Sequence, residues 1–143
     1  MSVITSYTTR IRLKTGEGQD FRETVGWSLL VDAVEATAES HGGRVVRSIS
    51  DFFGRVRLCD LALVTPEMPR GVGVEVDEAT GEVFFLYDDY GGLEEASRDL
   101  AEEISQNFAA LAVTRAFESL NYEVEVEEVS SPEGREVLVR GGL

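Results

Sequence analysis

The sequence has 143 residues, of which 43% are hydrophobic and 28% are charged, and its formal net charge is −14. This length is typical of one domain with its own core, and the composition argues against a disordered chain. A single cysteine excludes an internal disulfide and fits a reducing compartment, so we expect a cytoplasmic protein. The N-terminus lacks a signal-peptide pattern and no apolar run approaches about 18 residues, so we expect no membrane association.

The negative charge is unevenly distributed along the chain. Residues 1–70 contain nine basic and nine acidic side chains, whereas residues 71–143 contain four basic and eighteen acidic ones. This acidic half would repel phosphate backbones, so direct binding of nucleic acid is disfavoured. It would attract a basic protein partner or cations, although an acidic surface also simply keeps a protein in solution.

The hydrophobic periodicity predicts the order strand, helix, four strands, helix and two strands. These elements span residues 8–14, 28–40, 44–49, 55–64, 72–76, 82–87, 93–120, 122–129 and 136–140. Short connections favour antiparallel neighbours, and helices gathered on one face of such a sheet give two layers. We therefore expect a single α+β domain over residues 1–143, with a mostly antiparallel sheet and two helices on one face.

Two of the predicted strands have complementary charges. The penultimate strand alternates acidic and apolar residues, and its acidic face consists of Glu123, Glu125 and Glu127. The first strand has a basic outer face formed by Arg10, Arg12 and Lys14. Because opposite charges attract across a strand ladder, we expect these two strands to be neighbours.

The later part of the chain has a recognisable order of features. A helix containing residues 104–109 leads to Asn121-Tyr122-Glu123-Val124, then to an acidic stretch over 125–128, and then to Glu133-Gly134 and a strand ending at Arg140. Upstream, residues 59–64 and 72–73 match a strand pair, and residues 88–91 match a turn before the helix. In these features residues 55–140 resemble the plastid and cyanobacterial family called hypothetical chloroplast reading frame thirty-five, a domain of unknown function. Asn121 and Tyr122 depart from the glycine and phenylalanine of that family. The resemblance implies a companion or adaptor role near ATPases of the AAA type.

Candidate catalytic residues are few. His41 is the only histidine, and it lies beside two glycines at a predicted helix end, where a capping or surface role is typical. Cys59 lies within a predicted strand, as a small buried side chain often does. Zinc-ligand spacings, a phosphate loop and a complete dinucleotide fingerprint are all lacking, so we expect no cofactor.

Asp88 and Asp89 are the best candidate metal ligands. They precede the second helix, whose first turn adds Glu94 and Glu95, and clustered carboxylates suit a hard cation such as Mg²⁺ or Ca²⁺. Acidic residues at a helix N-terminus are also stabilising without any metal. Both interpretations stay open at this point.

Large aromatic side chains are numerous for a two-layer core. Phe84 and Phe85 are consecutive in a strand, so they face opposite sides of the sheet, and one of them would lie on an open face. An open apolar face is typical of a partner site, unless residues 15–54 cover it. The candidate partner-binding residues are Phe84, Phe85, Tyr87, Tyr90, Glu123, Glu125 and Glu127.

These observations favour a non-enzymatic interaction or adaptor protein that presents an acidic surface to a protein partner, in an AAA-type ATPase system if the resemblance holds. The alternative is a domain that binds a small molecule or a divalent cation, or an enzyme that uses carboxylates, with its site near Asp88, Asp89 and Tyr90. A homo-oligomer formed through the free edge of the last strand, residues 136–140, also stays open.

Overall fold

The computed structural model describes residues 4–119, 123–131 and 134–142, with side chains described as far as residue 118. Its elements follow the predicted order. They are β1 (Ile4–Arg12), α1 (Val25–Ser40), β2 (Arg44–Ser50), β3 (Val56–Val64), β4 (Val72–Val76), β5 (Glu82–Asp88), α2 (Glu94–Ser119), β6 (Glu123–Ser131) and β7 (Gly134–Gly142). A short 3₁₀ turn over Phe21–Glu23 precedes α1.

Five strands form one antiparallel sheet in the order β1-β5-β4-β3-β2. Strands β2 to β5 follow one another as a meander, and β5 returns the chain to the side of β1. In the register of that last pair, Tyr7 lies opposite Phe85 and Thr8 opposite Phe84. The outer edges of this sheet therefore belong to β1 and β2.

Both helices pack on the same face of the five-stranded sheet. Leu30 and Val34 of α1 and Ile104 of α2 are fully buried in one cluster with Phe85 and other strand residues. Burial of each such side chain contributes about 1.5–3 kcal/mol to folding. The predicted α+β architecture with two helices on one face of the sheet is confirmed.

Helix α1 begins three residues before the predicted start at Ser28. Thr24 is its N-cap, and the Thr24 hydroxyl accepts a hydrogen bond from the amide of Trp27 at 3.1 Å. This cap satisfies one of the amides left unpaired at a helix N-terminus, so the helix includes Gly26 despite its low helix propensity. The helix ends at Ser40 with His41 as its C-cap, and Gly42 follows with φ of 65°, in agreement with the predicted termination.

The β2–β3 hairpin is bent across the other face of the sheet. The register shifts between Val46 and Ser48, which marks an irregularity of the bulge type. Beyond it, the amide of Ser50 donates to the carbonyl of Arg70 at 2.9 Å, next to the start of β4. A second, smaller core lies here and is formed by Ile49, Ala62 and Leu86, with Cys59 partly buried against it.

Gly73 of β4 allows the hairpin to approach the sheet closely. A Cβ atom at this position would lie 2.5 Å from the sulfur of Cys59 and 3.4 Å from Cγ2 of Ile49. A side chain here would meet the sulfur of Cys59, so either that side chain or the hairpin would have to shift.

Strands β6 and β7 form a separate two-stranded antiparallel sheet, with paired positions from Glu123 opposite Gly142 to Ser131 opposite Gly134. The expectation that the first and penultimate strands are neighbours within the chain is therefore wrong. The first strand instead pairs with β5 and places Tyr7 and Ile11 against the main core. This apolar contact outweighs surface charge pairs, which contribute only about 0.2–1 kcal/mol each. Asn121 and Tyr122, which depart from the pattern of the resembling family, lie outside the described residues.

Within the described part of the chain, neither helix combines the length and the apolar character needed to cross a membrane.

Candidate functional site

The tip of the bent hairpin exposes large apolar side chains to solvent. The exposed fractions are 53% for Phe52, 62% for Phe53, 69% for Val56 and 78% for Leu58, and Tyr90 in the β5–α2 connection is 43% exposed. Val56 and Leu58 alternate with Arg57 and Cys59, which face the sheet, so they lie on the outer side of the hairpin. We call these five residues the hairpin surface.

The aromatic members of the hairpin surface contact one another. The ring centroids of Phe52 and Tyr90 are 4.5 Å apart, and Phe53 meets Phe52 edge-to-face at 5.3 Å. The guanidinium of Arg55 lies 5.7 Å from the ring centre of Phe53, and that of Arg70 lies 5.8 Å from the ring centre of Phe52. The rings therefore form one cluster bordered by two cations.

The buried carboxylate of Asp51 fixes the turn that carries Phe52 and Phe53. One oxygen accepts hydrogen bonds from the amides of Phe53 and Arg55, both at 2.9 Å, and the other accepts from the Arg55 side chain at 2.5 Å. Burial raises the pKa of this carboxyl, but the hydrogen bonds and the charge of Arg55 outweigh burial and lower the pKa below 3.8. The turn is consequently held by an ionised group.

Asp88 joins the hairpin tip to the β5–α2 connection. Its side chain is buried, one oxygen accepts from the amide of Phe52 at 2.9 Å, and the other accepts from the amide of Tyr90 at 2.9 Å. Arg70 lies 3.6 Å from the same carboxylate and donates to the carbonyl of Tyr90. The carboxylate of Asp88 and the guanidinium of Arg70 thus join the β2–β3 turn, the β3–β4 connection and the β5–α2 connection, and they hold Phe52 and Tyr90 together.

The hairpin is basic although the protein is strongly acidic. Residues 44–58 contain four arginines and one acidic residue, Asp51, and all four arginines are exposed. They are Arg44, Arg47, Arg55 and Arg57. Arg57 forms an ion pair with Glu75 at 2.8 Å, while Arg55 is held by Asp51. Exposed aromatic and arginine side chains together are typical of protein-binding hot spots.

The structure separates the residues predicted to bind a partner. Phe85 and Tyr87 lie in the main core, and burial raises the pKa of the Tyr87 phenol, so the expectation that these two face a partner is wrong. They occupy the strand face that the helices cover. Phe84 lies on the opposite face and is half-buried, whereas Tyr90 is exposed within the hairpin surface.

The acidic residues of β6 predicted to bind a partner are Glu123, Glu125 and Glu127. Their backbone positions are described, and they alternate along the strand. Their side chains lie outside the described part of the structure.

The predicted metal ligands do not converge. Asp88 is buried and bonded to protein donors, whereas Asp89 is half-buried and lies just beyond the end of β5. Arg70 also places a positive charge where a cation would lie. Among the described residues, no group of three or more histidine, cysteine, aspartate or glutamate side chains has the arrangement of a metal site.

The surroundings of His41 and Cys59 are those of residues with a structural role. His41 Nε2 lies 2.9 Å from an oxygen of the buried Glu103, and the Ser40 hydroxyl donates to that same oxygen at 3.1 Å. Serine and histidine therefore converge on one carboxylate oxygen, and the histidine is not placed between serine and acid as a catalytic triad requires. Burial and the charge of Glu75 raise the pKa of the Cys59 thiol to about 11, so the sulfur is protonated at neutral pH.

An open depression of about 570 Å³ lies away from Asp88, lined by residues 15–21 and Glu78. It consists mainly of one loop and has polar walls. It does not contain the residues of the predicted cation site.

No protein-family model matches the chain, and neither a curated protein nor a solved structure is significantly similar to it. The resemblance to the family called hypothetical chloroplast reading frame thirty-five therefore stays a prediction.

The sequence contains one indication of the hairpin surface. Turns favour small polar residues, yet the short connection between the predicted strands 44–49 and 55–64 contains Phe52 and Phe53 side by side. Two adjacent aromatic residues in a turn are exposed unless another element covers them. The role of Arg70 has no comparable pattern, because it depends on the bend of the hairpin.

Proposed function

We propose that this protein is a non-enzymatic interaction module that binds a protein partner through the hairpin surface. The observation that carries the proposal is the exposed cluster of Phe52, Phe53 and Tyr90, fixed from below by the buried carboxylates of Asp51 and Asp88. A rigid apolar surface loses little conformational entropy on binding, so more of the contact energy is available for affinity.

The partner segment is apolar with acidic groups at its border. Apolar side chains would fill the surface between Phe53 and Leu58, and carboxylates would meet Arg55 and the exposed arginines of β2. Burial of such a surface contributes about 25 cal/mol per Å² of apolar area before the entropy of association is subtracted.

The acidic second half supplies a separate electrostatic contribution. With its net charge of −14, this half would draw a basic region of the same partner or of a larger assembly towards the protein. An adaptor role beside an AAA-type ATPase, which the family resemblance implies, fits a module with one apolar and one acidic contact region.

Affinity capture with quantitative mass spectrometry tests the proposal. Phe53→Ser combined with Leu58→Ser removes apolar area from the hairpin surface without opening the core, because both side chains are mostly exposed. We expect the partner recovered with the unaltered protein to fall at least about tenfold, which corresponds to roughly 1.4 kcal/mol.

Val25→Ser is the matched control, since Val25 is 53% exposed at the start of α1, on a different element. It should leave the recovered partner unchanged. Equal recovery with the hairpin variant and with the unaltered protein would refute the proposal, provided that both melt at the same temperature.

A further inference from the structure

The outer edge of β1 and the edges of the C-terminal hairpin lack strand partners among the described elements. Strand β5 is the strand hydrogen-bonded to β1, and β6 and β7 bond to each other. An unpaired edge presents a row of amides and carbonyls to which another strand can add. The C-terminal hairpin lies against α2, and its outer edges still lack a strand partner among the described elements.

The charges on β1 select one kind of strand. Arg10 and Arg12 are exposed on the face away from the helices, whereas Ile11 packs towards the main core. Arginine on an edge strand discourages pairing with most other strands, because a bare cation would be brought against them. A strand with acidic residues at every second position reverses that effect and makes the pairing specific.

The sequence of β6 has this property. Acidic residues occupy every second position in this stretch, at Glu123, Glu125 and Glu127, with Val124 and Val126 between them. Strands β1 and β6 are also equal in length, at nine residues each.

We propose that two copies of this chain associate by antiparallel pairing of β1 of each copy with β6 of the other, which closes the assembly as a dimer. In the register that matches the charges, Arg10 lies opposite Glu127, Arg12 opposite Glu125, and Ile11 opposite Val126. The pairing extends the five-stranded sheet across the two molecules. It uses different residues from the hairpin surface, so it stands or falls independently of the proposed function.

Disulfide crosslinking between separately prepared chains tests this register. One preparation contains Arg10→Cys and a tag that changes its mass, and the other contains Glu127→Cys, both with Cys59→Ala. Directly opposed positions on neighbouring strands are close enough for a disulfide. We expect the mixed disulfide to form at least about ten times more than with a Glu123→Cys chain, whose cysteine is four residues away along the same strand.

Charge reversal provides a second test that requires no disulfide. Chains with Arg10→Glu and Arg12→Glu, and chains with Glu125→Arg and Glu127→Arg, should each sediment as monomers of about 15.7 kDa, whereas the unaltered protein sediments at twice that mass. Mixing the two variants should restore the dimer, since each basic strand then faces an acidic one. Arg12 also pairs with Glu82, but both side chains are exposed and that pair contributes little to folding.

Three outcomes would overturn the proposal. They are a monomeric unaltered protein at all concentrations, equal crosslinking to position 123, and failure of the mixed variants to associate although each is folded by circular dichroism.

Discussion

Two buried carboxylates determine how the hairpin tip is presented. Asp51 accepts hydrogen bonds from backbone amides of its own turn, while Asp88 accepts hydrogen bonds from amides of two different connections. Each carboxylate replaces hydrogen bonds that the loop backbone would otherwise make with water. The buried carboxylates therefore hold the backbone that carries the exposed aromatic side chains.

Acid should weaken this part of the fold in a predictable way. The pKa of Asp51 is lower in the folded protein than the ordinary value of 3.8, so its ionised form stabilises the fold above that pH. This contribution is lost as the pH falls from about 4 through the lower folded-state pKa. We expect the free energy of unfolding, measured by urea titration at several acidic pH values, to fall less steeply for Asp51→Asn.

A same-charge control separates this effect from the loss of one negative charge. Glu39→Gln removes an exposed carboxylate from α1, far from the turn. If Asp51→Asn and Glu39→Gln change the acid dependence equally, the hydrogen bonds of the turn are not the cause.

At the scale of elements, the bend of the β2–β3 hairpin produces both the second core and the exposed surface. The inner residues of β3 pack towards β4, so the outer residues necessarily face solvent. Gly73 is the point of closest approach. The bend therefore depends on a missing side chain in a strand that is not part of the hairpin.

Gly73→Ala should lower the free energy of unfolding by about 1–3 kcal/mol, because its methyl group would collide with the sulfur of Cys59. Cys59→Ala removes that sulfur, so the double variant should be less destabilised than the sum of the two single variants. Urea denaturation of the four proteins measures the coupling. Strict additivity would show that the two positions do not meet.

The whole molecule combines a basic hairpin with an acidic second half, and the sequence predicted only part of this arrangement. The order of strands and helices and the two-layer fold followed from periodicity, because Leu30, Val34, Leu100 and Ile104 recur at helical spacing. The bend could not be predicted, since it depends on contacts between residues far apart in the chain, such as Phe52 and Asp88. For the same reason the sequence left Asp88 open between a cation site and the stabilisation of a helix N-terminus, and it gave Phe52 and Phe53 no role.

Salt should stabilise the molecule. A net charge of −14 on a chain of this size produces repulsion in the folded state, and added salt screens it. We expect the melting temperature to rise between low and high sodium chloride in differential scanning fluorimetry. A variant with Glu78→Gln, Glu95→Gln and Glu102→Gln, three exposed positions, should show a smaller rise.

An equal rise in both proteins would point to a general effect of salt on apolar surface, and no rise would refute the repulsion.

The bent hairpin also sets different evolutionary constraints on adjacent positions. The size of the inward-facing residue at Cys59 is restricted by the space that Gly73 leaves. The outward-facing Leu58 contributes little to folding, so this position can change with the protein partner. The outward-facing residues of this strand can therefore change as binding specificity evolves, while the inward-facing residues and the fold stay the same.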